Sequence, residues 1–334
     1  TSLVRSLRSA ELPIPRWLET HRFEAASQRA RLNQTLSTIA PFLTDAGIPW
    51  VVLKGPVTAA SFEAASEREF ADLDILVPGH RLRDALGALR GAKVDAINRN
   101  WGAYLQHKVA EFPVLMSTTA IDVHWHVIGL EATRKRFAIP MEEMIERRQQ
   151  ASLGGVECAR LDVEDHAIHV ALHAGLSGAF RIGWLRDVDR TVRTVDLEWQ
   201  TFVSRCLRYG VGPTVGHVLD RCRAVMATPI PIEVPAQLAP LPTLRARQWL
   251  DQQRPPVRAS PRAAFSGFPV AAARSGTANT LGRSGELLWE RLLAARGRGP
   301  RWSAYDPSGP LYWDRPSGGP NGLDRYLEFA ARPR

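Results

Sequence analysis

Apolar residues recur at helical spacing through residues 22–47, at Leu32, Leu36, Ile39, Phe42 and Leu43, and the pattern stops at Gly47. The next run, Trp50 to Leu53, is short, apolar and β-branched, which predicts a buried strand ending at Lys54-Gly55. Pro56 suits the first turn of a following helix, because the N–H it lacks would have no partner there. Asp74 to Val77 reads as a second strand stopped by Pro78-Gly79, and Arg81 to Arg90 as a helix. Val94 to Ile97, His107 to Met116 and Ile121 to Val127 are three further candidate strands, the last two joined as a hairpin through Ser117-Thr118-Thr119.

After Pro140 the pattern turns helical. Asp162-Val163-Glu164-Asp165 has the form of an N-cap with an acidic first turn. Arg181 to Val195, Trp199 to Tyr209 and Pro213 to Met226 predict three more helices. Proline recurs too often from Thr228 to Pro269 for regular elements, apart from one short helix around Leu244 to Gln252. A helix near Gly285 to Ala295 precedes a tail rich in Trp, Tyr, Pro and Gly, whose Trp302, Tyr305, Tyr312 and Trp313 are expected to pack on the helical domain, with an aromatic wall for an acceptor as the alternative. The expected architecture is α+β. A mixed sheet of about five strands interspersed with helices fills 1–135, an all-helical domain 136–228, and a Pro/Arg-rich linker and extension 229–334.

The net charge of +9 could favour a polyanion, but the basic residues are nearly all Arg, with Lys only at 54, 93, 108 and 135. They form no like-charge block and no basic stripe interleaved with aromatics, so nucleic acid is disfavoured as a partner. No apolar run reaches the roughly 18 residues of a membrane span. Cys158, Cys206 and Cys222 are odd in number and lack metal-type spacing, which predicts reduced thiols and a cytoplasmic protein.

Candidate chemistry centres on acids. In a strand, residues two apart share a face, so Asp72 and Asp74 project together while Leu73 and Ile75 point into the core. Two such carboxylates make a hard, all-oxygen site suited to Mg2+, with Mn2+ as the alternative. A third, Asp122 in Ile121-Asp122-Val123-His124-Trp125-His126, would permit a two-metal clamp for in-line displacement at phosphorus. His124 and His126 are expected on the face of Asp122, as an independent transition-metal site or as groups that orient Asp122 or meet an acceptor. His166, His169 and His173 lie along one helix face and are expected to pack against the sheet domain or line a cleft rather than bind metal. Asp187 and Arg186 are candidates for an interdomain ion pair or a substrate contact.

Leu53-Lys54-Gly55, then Arg68-x-x-x-Asp72-x-Asp74, then Asp122-x-His124-Trp125, followed by the His166 helix and Trp184-Leu185-Arg186-Asp187, resemble an uncharacterised bacterial nucleotidyltransferase family of the DNA polymerase β-like superfamily. The resemblance spans roughly residues 30–195. It implies a polymerase-β-like fold in which Asp72, Asp74 and Asp122 are catalytic and hold Mg2+, and in which Asp122 helps deprotonate the attacking hydroxyl. It further implies that Lys54, Gly55 and Arg68 bind the nucleotide; Pro56 stands where superfamily members usually carry Ser. The implied activity moves NMP from an NTP to a small-molecule, peptide or protein acceptor and releases pyrophosphate. Asp-x-Asp also occurs in metal-dependent glycosyltransferases, and the same fold can serve a non-catalytic partner-binding protein; these are the alternatives.

Overall fold

The protein is described from a computed structural model, which covers residues 2–62, 68–70, 72–179, 181–239, 242, 274, 276–295 and 303–332. The chain divides into two units, one made of Thr1–Glu131, Met141–Leu161 and Ser303–Arg334, the other of Ala132–Pro140 and Asp162–Trp302.

Among the described residues the first unit holds six strands: β1 (Val51–Val52), β2 (Leu73–Leu76), β3 (Glu111–Met116), β4 (Thr119–His124), β5 (Gln149–Leu153) and β6 (Val156–Arg160). They form one mixed sheet in the order β3-β4-β2-β1-β6-β5. β2 runs parallel to β4, and β1 antiparallel to β2 and parallel to β6. Its helices are α1 (Ser2–Ser9), α2 (Arg16–Asp45), α3 (Lys54–Ala60), α4 (Leu82–Gly91), α5 (Trp101–Gln106), α7 (Met141–Glu146) and α14 (Gly322–Ala330), while α6 (Glu131–Arg134) straddles the boundary.

Alternation along the strands separates core from site. Leu73 and Ile75 of β2 lie beside Ile121 and Val123 of β4, and all four join a buried cluster with Leu32, Leu36, Ile39 and Leu43 of α2 and Leu82, Ala85 and Leu89 of α4. Each leucine, isoleucine or valine side chain among them contributes about 1.5–3 kcal/mol by leaving water. The intervening residues Asp74, Asp122 and His124 therefore project from the opposite face.

Several expected elements differ from those observed. Val94 to Ile97 supplies only an isolated bridge from Asp95 to Leu115, because its neighbours turn away to meet the tail. The last strand of the expected hairpin ends at His124 rather than Val127. β5 and β6 fall in a stretch whose exposed Gln149, Gln150 and Ser152 mask the strand period. They are joined by Gly154-Gly155, both at positive φ (61° and 82°), the pair that a two-residue hairpin turn demands.

The tail from Ser303 packs on the sheet unit, where a helical-domain contact was expected. Tyr326 is fully buried; its hydroxyl donates to the Val109 carbonyl at 2.7 Å and accepts from Trp125 Nε1 at 2.9 Å. The Trp101, Tyr104 and Phe112 rings surround it at 5.2, 6.3 and 5.8 Å. These hydrogen-bond partners are remote in sequence, so no local pattern announces them. Trp302 and the helix expected at Leu244 to Gln252 lie outside the described residues.

The second unit holds α8 (Val163–Leu176), α9 (Ile182–Thr194), α10 (Trp199–Arg208), α11 (Gly212–Met226), α12 (Glu233–Leu238) and α13 (Thr277–Ala295). Asp162 caps α8 as expected, accepting from the Asp165 N–H at 2.9 Å. It also takes Arg205 Nη1 at 2.8 and 2.6 Å. α12 breaks the expected irregular stretch, with Pro235 tolerated in its first turn. The three cysteines are free and buried.

Candidate metal centre

Strand register assembles the acids. β2 and β4 pair in parallel with Asp74 directly beside Asp122, and Asp72 stands on the approach to β2. Asp72, Asp74 and Asp122 each offer a carboxylate oxygen, and these oxygens all lie within 4.8 Å of one another. Asp74 is buried, while Asp72 and Asp122 are half-buried.

Two cationic groups flank Asp74. Leu53 N–H donates to the Asp74 carbonyl at 3.0 Å, which locks the end of β1 against β2 and delivers the next residue, Lys54, to the acids. Lys54 Nζ lies 3.1 Å from Asp74 Oδ2. His124 Nε2 lies 3.0 Å from Asp74 Oδ1, and its Nδ1 makes an ion-pair contact with Glu111 Oε2 at 3.3 Å.

Opposing effects set the ionisation here. Burial pushes the Asp74 carboxyl up, but Lys54 and His124 outweigh it and hold Asp74 well below the usual carboxylate range. Asp72 is raised by burial and by Asp74, against the pull of Lys54. Asp122 has no adjacent lysine; burial, with Asp74, Glu111 and Asp72, overrides His124 and pushes it up to about 7. For Lys54, burial favours the neutral amine, yet Asp74, Asp72 and Glu111 more than compensate and its pKa is raised. His124 is likewise raised, with burial opposed by the Asp74 hydrogen bond and the Glu111 charge. The centre thus sets an amine and an imidazole, both with raised pKa values, against one acid whose pKa is lowered and two whose pKa values are raised.

The remaining candidates separate. Gly55, a non-helical point within α3, faces the Phe70 ring and the Asp72 carbonyl, so it adjoins the acids. Arg68 donates to the carbonyl of Glu69, its chain neighbour. His124, expected to orient Asp122 or meet an acceptor, contacts Asp74; it lies two pairs further along the β2–β4 ladder than Asp122, beside Leu76. His126 lies beyond the end of β4, buried, with Nδ1 accepting from the Ile128 N–H at 3.0 Å; the strand period that would have carried it to the face of Asp122 stops two residues earlier. Asp187 is buried on α9, in the helical unit. His166 and His169 are buried on α8, and the His173 ring meets Trp184 edge-on at 5.4 Å within that unit.

One residue of the site escaped the sequence reading. Glu111 stands opposite His124 in the β3–β4 ladder, a position that follows once the hairpin turns at Ser117-Thr118. Tyr305, which was expected to pack on the helical domain, donates its hydroxyl to Asp122 Oδ1 at 3.1 Å across 183 positions of sequence.

A mixed sheet with helices, carrying three carboxylates on adjacent parallel strands, has the form of an α+β nucleotidyltransferase. Residues 2–227 match the family described as "Uncharacterised nucleotidyltransferase", and the chain belongs to that family. No curated protein matches the chain. The match ends well before Tyr305. Among the described residues, no helix is long and apolar enough to cross a membrane.

Proposed function

We propose that the protein is a divalent-metal-dependent nucleotidyltransferase that moves NMP from an NTP to an acceptor and releases pyrophosphate. The observation that carries this reading is the Asp74–Asp122 register, with Asp72 beside it and a carboxylate oxygen of each acid within 4.8 Å of the others. The donor set suits a hard cation: it is all oxygen, which favours Mg2+ and admits Mn2+. An ionised carboxylate has about four lone-pair sites, so Asp74 can hold an ion while still accepting from Lys54 and His124.

In this reading Asp72, Asp74 and Asp122 hold the metal, which when bound supplies neutralising charge for the oxygens of the displaced phosphate. Asp122 accepts the acceptor's proton, a task suited to a carboxyl that titrates near neutral pH. Lys54 orients Asp74 and adds positive charge on the nucleotide side, where Gly55 permits close backbone approach and Arg68 contributes further charge. His124, held between Asp74 and Glu111, fixes the Asp74 carboxylate.

Calorimetric titration of ATP, GTP, CTP and UTP with Mg2+ tests the reading on the wild-type chain and on Asp72→Ala/Asp74→Ala. Metal-dependent binding of one NTP, lost in the double variant, supports it. A folded wild-type protein that binds no NTP overturns it. Binding of a UDP-sugar in place of any NTP transfers the site to the glycosyltransferase class.

A further inference from the structure

The tail places a hydroxyl at the acid that the proposed chemistry uses as a base. Tyr305 Oη donates to Asp122 Oδ1 at 3.1 Å, and the residue is 47% exposed. Its position is built. Trp313 N–H donates to the Ala304 carbonyl at 3.0 Å, and Tyr305 N–H to Ser303 Oγ at 3.2 Å. Asn100 Nδ2 donates to the carbonyls of Pro310 and Tyr312 at 2.9 and 3.0 Å, and Arg99 pairs with Asp314 at 3.0 Å. These contacts tie the segment bearing Tyr305 to the residues that lead into α5.

We propose that Tyr305 is an acceptor in cis, so that the site transfers NMP to its own tyrosine. This rests on the nucleotidyltransferase reading and names the acceptor class as a phenolic hydroxyl. Tyr305 Oη attacks the α-phosphorus of the NTP and forms a Tyr–O–P bond. The bond from the α-phosphorus to the oxygen bridging to the β-phosphate breaks, pyrophosphate leaves, and the phenolic proton passes to Asp122. The product is a phosphodiester of tyrosine and nucleoside. Once modified, Oη has no proton to donate to Asp122, so the reaction stops at one NMP per chain. Holding the acceptor in the same chain as the base makes attack unimolecular, a large advantage over a dissolved phenol.

The full-length chain is incubated with Mg2+ and each NTP labelled at the α-phosphorus, then denatured, and the label is located by peptide mass spectrometry. NTP binding is measured by calorimetry on the same preparation. The expected result is retained label on Tyr305, approaching one per chain, with a rate per chain independent of protein concentration. The label should be lost in Tyr305→Phe. Binding of NTP without labelling, labelling of another residue, or a rate per chain that rises with protein concentration overturns the proposal and leaves the nucleotidyltransferase reading standing. Failure to bind any NTP overturns both. If Tyr305→Phe fails to fold, as judged by its thermal transition, the peptide map of the wild-type chain decides alone.

Discussion

Lys54 Nζ stands 3.1 Å from Asp74 Oδ2, with 24% of the lysine side chain exposed and only 3% of the aspartate. Removing one partner of such a pair leaves a buried carboxylate with its burial poorly compensated. Lys54→Met is therefore expected to cost about 3 kcal/mol in urea unfolding without divalent ion. Mg2+ should recover part of that loss, because a bound cation replaces the missing charge. Equal stability of variant and wild type in metal-free buffer would show that Lys54 does not compensate Asp74.

The acids give the metal-free protein a defined pH dependence. Asp122, raised by burial and its acidic neighbours to about 7, binds a proton in the folded state that the unfolded chain has already lost above its ordinary value of 3.8. Its contribution to stability is present at low pH and falls as pH rises from about 4 to about 7, with a limiting slope of about 1.4 kcal/mol per unit. His124, also raised, acts in the same direction above its ordinary 6.5. Asp74 is depressed and so contributes above pH 3.8, losing that contribution only in strong acid. Asp122→Asn should flatten the slope between pH 4 and 7, as read from thermal transitions in metal-free buffers. An unchanged slope in that variant would remove Asp122 as its source.

Proton linkage extends to the metal. Below pH 7, Mg2+ must displace a proton from Asp122, so its affinity should rise with pH, and binding should release protons. Calorimetry at pH 6 in buffers of different ionisation enthalpy reads this directly. Identical heats in all buffers would show that Asp122 is already ionised before metal binds.

The tail's docking depends on a missing side chain. A Cβ on Gly79 would stand 2.2 Å from the Ala330 carbonyl oxygen, so Gly79→Ala must move either that turn or α14. The expected cost is about 1–3 kcal/mol, with faster proteolysis between residues 303 and 332. Gly87 in α4 is the control, since a Cβ there meets nothing within 4 Å. Gly87→Ala should stabilise by about 0.5–1 kcal/mol through helix propensity.

In the helical unit, Asp162 both caps α8 and holds Arg205. Asp162→Ala should cost about 2 kcal/mol, roughly half from the cap and the rest from the loss of one of the partners of Arg205, which keeps Asp165 at 3.3 Å. Asp162→Asn keeps the cap oxygen and should lose less, as compared by urea midpoints.

Local rules sufficed where local physics decides. The cap at Asp162, the helices from α8 to α11, the strand pattern around Leu73 and Ile75 and the face shared by Asp72 and Asp74 follow from periodicity and hydrogen-bonding preference within a few residues. The three acids were legible as a set because Asp74 and Asp122 sit between apolar strand residues and Asp72 stands two residues before Asp74 at the entry to β2. Which groups meet them was not. Parallel pairing brings Asp74 beside Asp122 and sets His124 against Asp74. The end of β4 turns His126 back onto its own chain, although alternation alone carried it to the site. Gln149 to Leu153 became a strand because an adjacent β6 and a Gly-Gly turn supply its partners, not because its side chains favour one. Tyr326, Trp125 and Val109 satisfy one another's buried polar groups, and that docking sets Tyr305 on Asp122. Sequence alone determined the elements and the acids they carry. Tertiary structure decided the company those acids keep, because burial and charge pairing depend on residues far apart in the chain and near only in space.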